Sequence, residues 1–249
     1  MATASIQRRF SAVTLDLWQT LIFDRPEWGR ARSQARVQGA MEALAQAGES
    51  FSTEQVEAAY RACQRAHQEM QAGGDDLAFD AQVRMFLKHL DPSLVSRLDG
   101  RVEADVARRY GHAIFVRPPE LVPEAREVLS ALRGRGYRLA LVSNTGATPG
   151  VLFRQILTEN RALGYFDVLT FSDEVGRCKP HPEMFQRTLA ALQVEPQEAV
   201  HVGDSLRADV TGAKGVGMGA IWLRGPDASE PDVQPDVTIS RLADLLAVL

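Results

Sequence analysis

The chain has 249 residues, 45% of them hydrophobic and 24% charged, with a formal net charge of -4 at pH 7, as in an ordinary globular protein built as one large domain or one domain with an insert. The slight acidity offers nothing to draw nucleic acid or an anionic membrane. Two cysteines, Cys63 and Cys178, make neither a disulfide framework nor a metal-ligand spacing, 1–9 has no apolar core for a signal peptide, and no stretch is long enough to span a membrane, so a reducing cytoplasm is the expected setting.

Residues 12–17 read as a short buried strand. From about 24 to 111 the texture changes to Ala, Arg, Gln and Glu with apolar residues at helical spacing: Val37, Met41 and Leu44 on one face, and Val56, Ala59, Tyr60 and Cys63 on another. Ser52-Thr53-Glu54-Gln55 predicts a capping box, and Asp91-Pro92 an N-cap with Pro at the first helical position. With Gly48 and Gly73-Gly74 as punctuation, this stretch predicts about four helices and no strand. Beyond it the pattern alternates. Helices are expected over 123–134, 149–160, 182–192, 206–214 and 242–248, and strands over 137–142, 166–171, 199–202, 220–223 and 237–239. A polar, Pro-containing loop covers 225–235. Alternation of this kind predicts βαβ units and a parallel sheet. The fold class is therefore α/β: a Rossmann-like parallel-sheet core domain (1–23 and 112–249) with an inserted all-helical cap domain (24–111).

Four short motifs stand just past the carboxyl ends of predicted strands, the edge where open parallel sheets bind ligands. They are Asp16-Leu17-Trp18-Gln19-Thr20, Ser143-Asn144, Lys179-Pro180, and Gly203-Asp204 with Asp209 five residues after Asp204. Three carboxylates converging on one edge repel unless a cation lies among them, and an all-oxygen set suits Mg²⁺. Lys179, one of only three lysines, balances charge and can hold an anionic oxygen. The hydroxyl of Ser143 and the amide of Asn144 supply further donors. Such a set suits phosphoryl transfer, with a carboxylate as nucleophile and the rest stabilising charge on the phosphoryl oxygens.

The motifs, their order and the position of the insert resemble the haloacid dehalogenase superfamily, whose members are mostly phosphatases. The resemblance covers nearly the whole chain. It implies that Asp16 is the nucleophile and forms an aspartyl-phosphate, that Ser143, Asn144 and Lys179 hold phosphate together with Trp18 and Thr20, and that Mg²⁺ is held by Asp16, the Trp18 carbonyl and Asp204, with Asp209 beside them. The expected partner is a small-molecule substrate, with no nucleic acid or membrane, for a monomer or homodimer.

Two departures from the family pattern matter. Phosphatases of the family carry a second Asp two residues after the nucleophile, which protonates the leaving oxygen and later activates water; here that residue is Trp18, whose indole N–H only donates a hydrogen bond. Gln19 stands where Gly is usual, so the turn is expected to differ. Three readings follow. The first is a Mg²⁺-dependent phosphatase in which Asp24, Glu27, Asp173, Glu174 or His181 replaces the missing acid, or whose substrate has a good leaving group. The second is a 2-haloacid dehalogenase-like hydrolase attacking carbon; those enzymes also lack the second Asp, but they do without Mg²⁺ and without the acidic fourth motif. The third is a weakly active or non-enzymatic binding protein. His67, His89, His112 and His201 read as surface or packing residues, while Trp28 and the arginines Arg30, Arg32 and Arg36 read either as facing the site from the cap entrance or, for the arginines, as a solvated helical face. Gly215-Val216-Gly217-Met218-Gly219 precedes a strand instead of joining strand to helix, so it reads as a turn and not a nucleotide loop.

Overall fold

The structure is a computed structural model that describes residues 10–225 and 233–249. Six parallel strands form the central sheet: β1 (Ala12–Leu15), β4 (Arg138–Ser143), β5 (Val168–Phe171), β6 (Ala199–Gly203), β7 (Gly219–Leu223) and β8 (Val237–Ile239), in the spatial order β5-β4-β1-β6-β7-β8. A two-stranded antiparallel pair, β2 (Ile22–Phe23) with β3 (Glu120–Leu121), joins the two chain passages between sheet and insert. Each of these strands is two residues long, too short for periodicity to reveal.

Side chains alternate across the sheet as the pleat requires. Val13, Leu15, Leu139, Leu141, Val200, Val202 and Ile221 enter one core beneath α6 (Ala125–Gly134), α7 (Gly150–Glu159) and α11 (Leu245–Val248). Ala12, Ala140, Val142, Ala199, Ala220 and Trp222 enter the other, beneath α9 (Pro182–Leu192) and α10 (Gly212–Gly215). Both faces are covered, so these strands read as continuous apolar runs.

The stretch expected to be helical contains α1 (Pro26–Gln46), α2 (Thr53–Ala72), α3 (Phe79–Leu90), α4 (Leu94–Arg97) and α5 (Gly100–His112), one more helix than expected. Their apolar faces close a separate core of Val37, Leu44, Val56, Ala59, Tyr60, Cys63, Phe86, Leu87 and Val106. The capping box at Ser52 and Gln55 forms in both directions. Asp91-Pro92 does not open a helix as expected. Asp91 ends α3, and its Oδ1 accepts from the amide and hydroxyl of Ser93, a local turn after which α4 starts at Leu94. A short helix, α8 (Ser172–Val175), also escaped sequence reading. The 206–214 segment is split into a π-helical turn, Leu206–Thr211, followed by α10. Residues 1–9 and part of the 225–235 loop lie outside the described residues.

The helical insert meets the sheet layer at the carboxyl edge. Arg36 of α1 donates to the Ala147 carbonyl (3.2 Å) and the Thr148 hydroxyl (2.9 Å). Gln71 of α2 donates to the Thr145 carbonyl (2.7 Å). In the α2–α3 loop, the Asp76 amide donates to Gly176 (3.2 Å), while the Cys178 amide donates to Gly74 (3.0 Å). The loop that carries Lys179 is thus tied to the insert by main-chain bonds.

Candidate active site

The chain runs outward from β1 to β4 and β5, then returns to β6 on the other side of β1, which makes β1/β6 the switch point of the sheet. Asp16 leaves β1 there, its amide donating to the Val202 carbonyl at 2.9 Å. The turn beyond it closes when the Gln19 amide donates to Ile22 O at 2.7 Å, and Gln19 itself takes φ +57°. Gln19 thus takes the left-handed conformation that glycine adopts freely, at a cost of ~1–2 kcal/mol for a residue with a Cβ.

Lys179 is placed by Asn144. The Lys179 amide donates to Asn144 Oδ1 (2.7 Å), and Asn144 Nδ2 donates to the Lys179 carbonyl (3.0 Å). Asn144, read from sequence as an anion donor, is therefore engaged in fixing the lysine backbone. The buried Lys179 Nζ donates to Asp16 Oδ1 and to Asp209 Oδ1, each at 2.6 Å. Ser143 is fully buried at the end of β4, with only a 3.2 Å bond to the Asn144 carbonyl.

Asp209 lies on the π-helical turn. Its Oδ1 also faces His201 Nε2 (3.0 Å), and its Oδ2 accepts from the Ser205 amide (2.9 Å). A methyl group at Gly203 would overlap the Asp209 carboxylate, so only glycine fits there. His201 Nδ1 lies 2.8 Å from the Thr14 hydroxyl. Burial lowers the His201 pKa, so the ring is neutral, with Nε2–H donating to Asp209 and Nδ1 accepting from Thr14. Sequence reading took His201 for packing, yet it is a link in a buried chain from Thr14 through His201, Asp209 and Lys179 to Asp16. The available signal was its place on the strand that ends in the acidic motif. Trp222 Nε1 donates to the Asp204 carbonyl (2.9 Å) and steadies that loop.

Burial is the largest influence on every ionisable group here. It pushes Asp16 up to about 7, with Lys179 opposing and Asp209 adding to the rise, and it pushes Asp204 up to about 6, reinforced by Asp209. Burial acts in the same direction on Asp209, but Lys179 and His201 overcome it and hold that carboxyl well below the usual range. For Lys179 burial lowers the pKa, and the two carboxylates outweigh it and raise it. Oxygens of Asp16, Asp204 and Asp209 all lie within 4.8 Å of one another. One ammonium does not neutralise three such carboxylates, and the spacing approaches the span across one hard cation; the residues fit a divalent metal.

Trp18 is half-buried. Its ring meets Phe153 edge-on (5.4 Å, 86°) and lies 6.0 Å from the Arg32 guanidinium. Arg32 and Arg36 are buried where the insert meets the sheet layer, whereas Arg30 is exposed. Thr20 Oγ1 is the one buried side-chain polar atom without a hydrogen-bond partner among the described residues. His89 and His112 are exposed.

Residues 10–217 match the haloacid dehalogenase-like hydrolases. The chain belongs to this family. Several of its relatives are phosphatases by name. It is 36% identical over 132 residues to glyceraldehyde 3-phosphate phosphatase of Pyrococcus furiosus (51% of this chain, 54% of the relative) and 37% identical over 142 residues to phosphoserine phosphatase of Thermus thermophilus (56% of each). The chain thus spans about half the length of the curated relatives it matches. Among solved structures, the phosphatase of this family from Thermococcus onnurineus aligns with 96% of this chain and 97% of its own at TM-score 0.61 and 28% identity. The 2-haloacid dehalogenase of Pseudomonas syringae aligns over the same shares at TM-score 0.69 and 22% identity, a likeness of fold. No helix among the described residues is long and apolar enough to cross a membrane.

Proposed function

We propose that the protein is a Mg²⁺-dependent phosphatase of small phosphorylated metabolites that works through an aspartyl-phosphate at Asp16. The observation that carries this reading is the Lys179 ammonium held between Asp16 and Asp209 with Asp204 inside the same cluster. Attack on carbon asks for one nucleophilic carboxylate, and gives the extra pair, Asp204 and Asp209, nothing to do.

Asp16, Asp204 and the Trp18 carbonyl would hold Mg²⁺, with Asp209 beside it. The ion supplies charge neutralisation at the phosphoryl oxygens and keeps Asp16 ionised despite its burial. Lys179 binds a phosphoryl oxygen and screens Asp16 from the approaching dianion. Ser143, whose hydroxyl has only a weak internal bond, and Thr20, whose hydroxyl has none, supply donors to the remaining oxygens. Asp209, fixed by His201 and the Ser205 amide, keeps Lys179 charged and aimed. The helices of 24–111 act as a cap domain over a core domain made of 1–23 and 112–249, excluding water and selecting the substrate. Both cysteines are free and buried, which suits a reducing cytoplasm.

The test is turnover of a mixed panel of phosphoesters, acyl phosphates and 2-haloacids, with Mg²⁺ or EDTA, in the wild type and Asp16→Asn. Phosphate release that needs Mg²⁺ and disappears in Asp16→Asn is the expected result. Halide release that survives EDTA would overturn it.

A further inference from the structure

A phosphatase usually has to protonate the oxygen it expels, and Trp18 stands where that acid would be. Five other residues were candidates to supply the proton, and the structure engages or displaces each of them. Asp24 has one oxygen paired with Arg32 and the other accepting from the Arg25 amide, so both are taken up. Glu27 is exposed and lines an outer groove with Trp28, Arg117 and Glu159. Asp173 turns both oxygens to the Gly150 amide at the start of α7, and one also accepts from Thr145. Glu174 pairs with Arg154. His181 caps α9, its Nδ1 accepting from the Glu183 amide. Two further groups lie where the insert meets the Lys179 loop. The Cys178 thiol, pushed up to about 11 by burial, donates to the Gln71 and Asp75 carbonyls. His67 and Asp76 are closed on one another at 2.5 Å, and Asp76 also accepts from Gln71 and the Leu77 amide. The Arg32 guanidinium lies 6.0 Å from the Trp18 ring, and a guanidinium does not give up its proton.

We propose, building on the phosphatase reading above, that the substrates are acyl phosphates, mixed anhydrides whose leaving group is a carboxylate that departs without a proton. An Asp16 oxygen forms a bond to phosphorus, the bond from phosphorus to the acyl oxygen breaks, and the carboxylate leaves with the electron pair. Water then forms a bond to phosphorus, the bond to Asp16 breaks with its pair returning to the Asp16 carboxylate, and the proton of the water remains on the released phosphate. Neither step draws a proton from the protein. The leaving group of the second step is itself a carboxylate, but no base deprotonates the attacking water, so the phosphoenzyme accumulates. An alkyl phosphate, which must expel an alkoxide, forgoes the ~10²–10⁴-fold that a positioned acid provides.

The experiment compares kcat/KM of the full chain with Mg²⁺ on acetyl phosphate, p-nitrophenyl phosphate, phenyl phosphate and glycerol 3-phosphate. Mass spectrometry of acid-quenched protein then looks for phosphate on the peptide containing Asp16. The expected result is a decline of ~100-fold or more from acetyl phosphate to glycerol 3-phosphate, with phospho-Asp16 trapped during turnover of acetyl phosphate. In Trp18→Asp the gap narrows because the alkyl ester gains. Phosphate release at similar rates across the series overturns the substrate class and leaves the phosphatase reading intact; if that flat profile turns steep in His67→Gln, His67 is the acid. No phosphate release and no phospho-Asp16 with any donor overturns both.

Discussion

Replacing Lys179 by Met removes the one ammonium that lies between two buried carboxylates while nearly keeping side-chain volume. Lys179 is 3% exposed, Asp16 6% and Asp209 2%, and both contacts are 2.6 Å long, so water does little to screen the loss. Removing one partner of a buried ion pair costs ~3–5 kcal/mol. At ~2–4 °C per kcal/mol for a chain of this size, the expected fall in Tm is about 6–20 °C. The loss depends on pH in a definite direction. Asp16, already at about 7, rises further without Lys179, and Asp209 loses its main depressing charge. A carboxyl whose native pKa exceeds its unfolded value stabilises the fold fully below the unfolded value and loses that contribution as pH rises through the native one. Near pH 5 Asp16 takes up a proton and the deficit shrinks; toward pH 8 more of it is charged and the deficit grows. Scanning calorimetry of wild type and Lys179→Met in EDTA at the two pH values measures this. An equal deficit at both, or one below about 2 °C at pH 8, would refute the idea that Lys179 neutralises this cluster.

Mg²⁺ should raise the Tm more at pH 8 than at pH 5, because Asp16 (about 7) and Asp204 (about 6) must shed protons to bind it; equal shifts would mean that these carboxylates are not ligands. Phe at His201 leaves Asp209 short of one donor, worth ~1–3 kcal/mol. The expected outcome is a lower kcat at little-changed KM, partly restored in His201→Gln, whereas a lowered Tm with normal kinetics would reduce His201 to packing. A methyl at Gly203 collides with Asp209, so Gly203→Ala should cost ~1–3 kcal/mol and abolish phosphate release; wild-type release would show that Asp209 tolerates displacement.

Much of the site was legible in the residues alone. Asp16, Ser143, Lys179 and Asp204 each follow an apolar run or a turn at a strand end, with Asp209 five residues after Asp204, and short-range chemistry marks such positions. The sheet core and the helical character of 24–111 came from periodicity, which reports one neighbouring surface at a time. What periodicity missed was either very short, such as β2, β3 and α8, or a matter of which donor wins, as when Asp91 turns its carboxylate to Ser93 instead of capping a helix at Pro92.

The sequence by itself determined which chemical groups sit at the sheet edge, and that the acid two residues after Asp16 is absent, because composition and order are local facts. The tertiary structure alone decided their employment. It gave Asn144 to the Lys179 backbone, linked His201 to Asp209, bent Gln19 into a glycine-like turn, and engaged Asp24, Asp173, Glu174 and His181 elsewhere. A hydrogen-bonding group takes the partner that folding brings within about 3 Å, and for Asn144, Asp173 and Glu174 that partner lies 20 to 35 residues away in the chain.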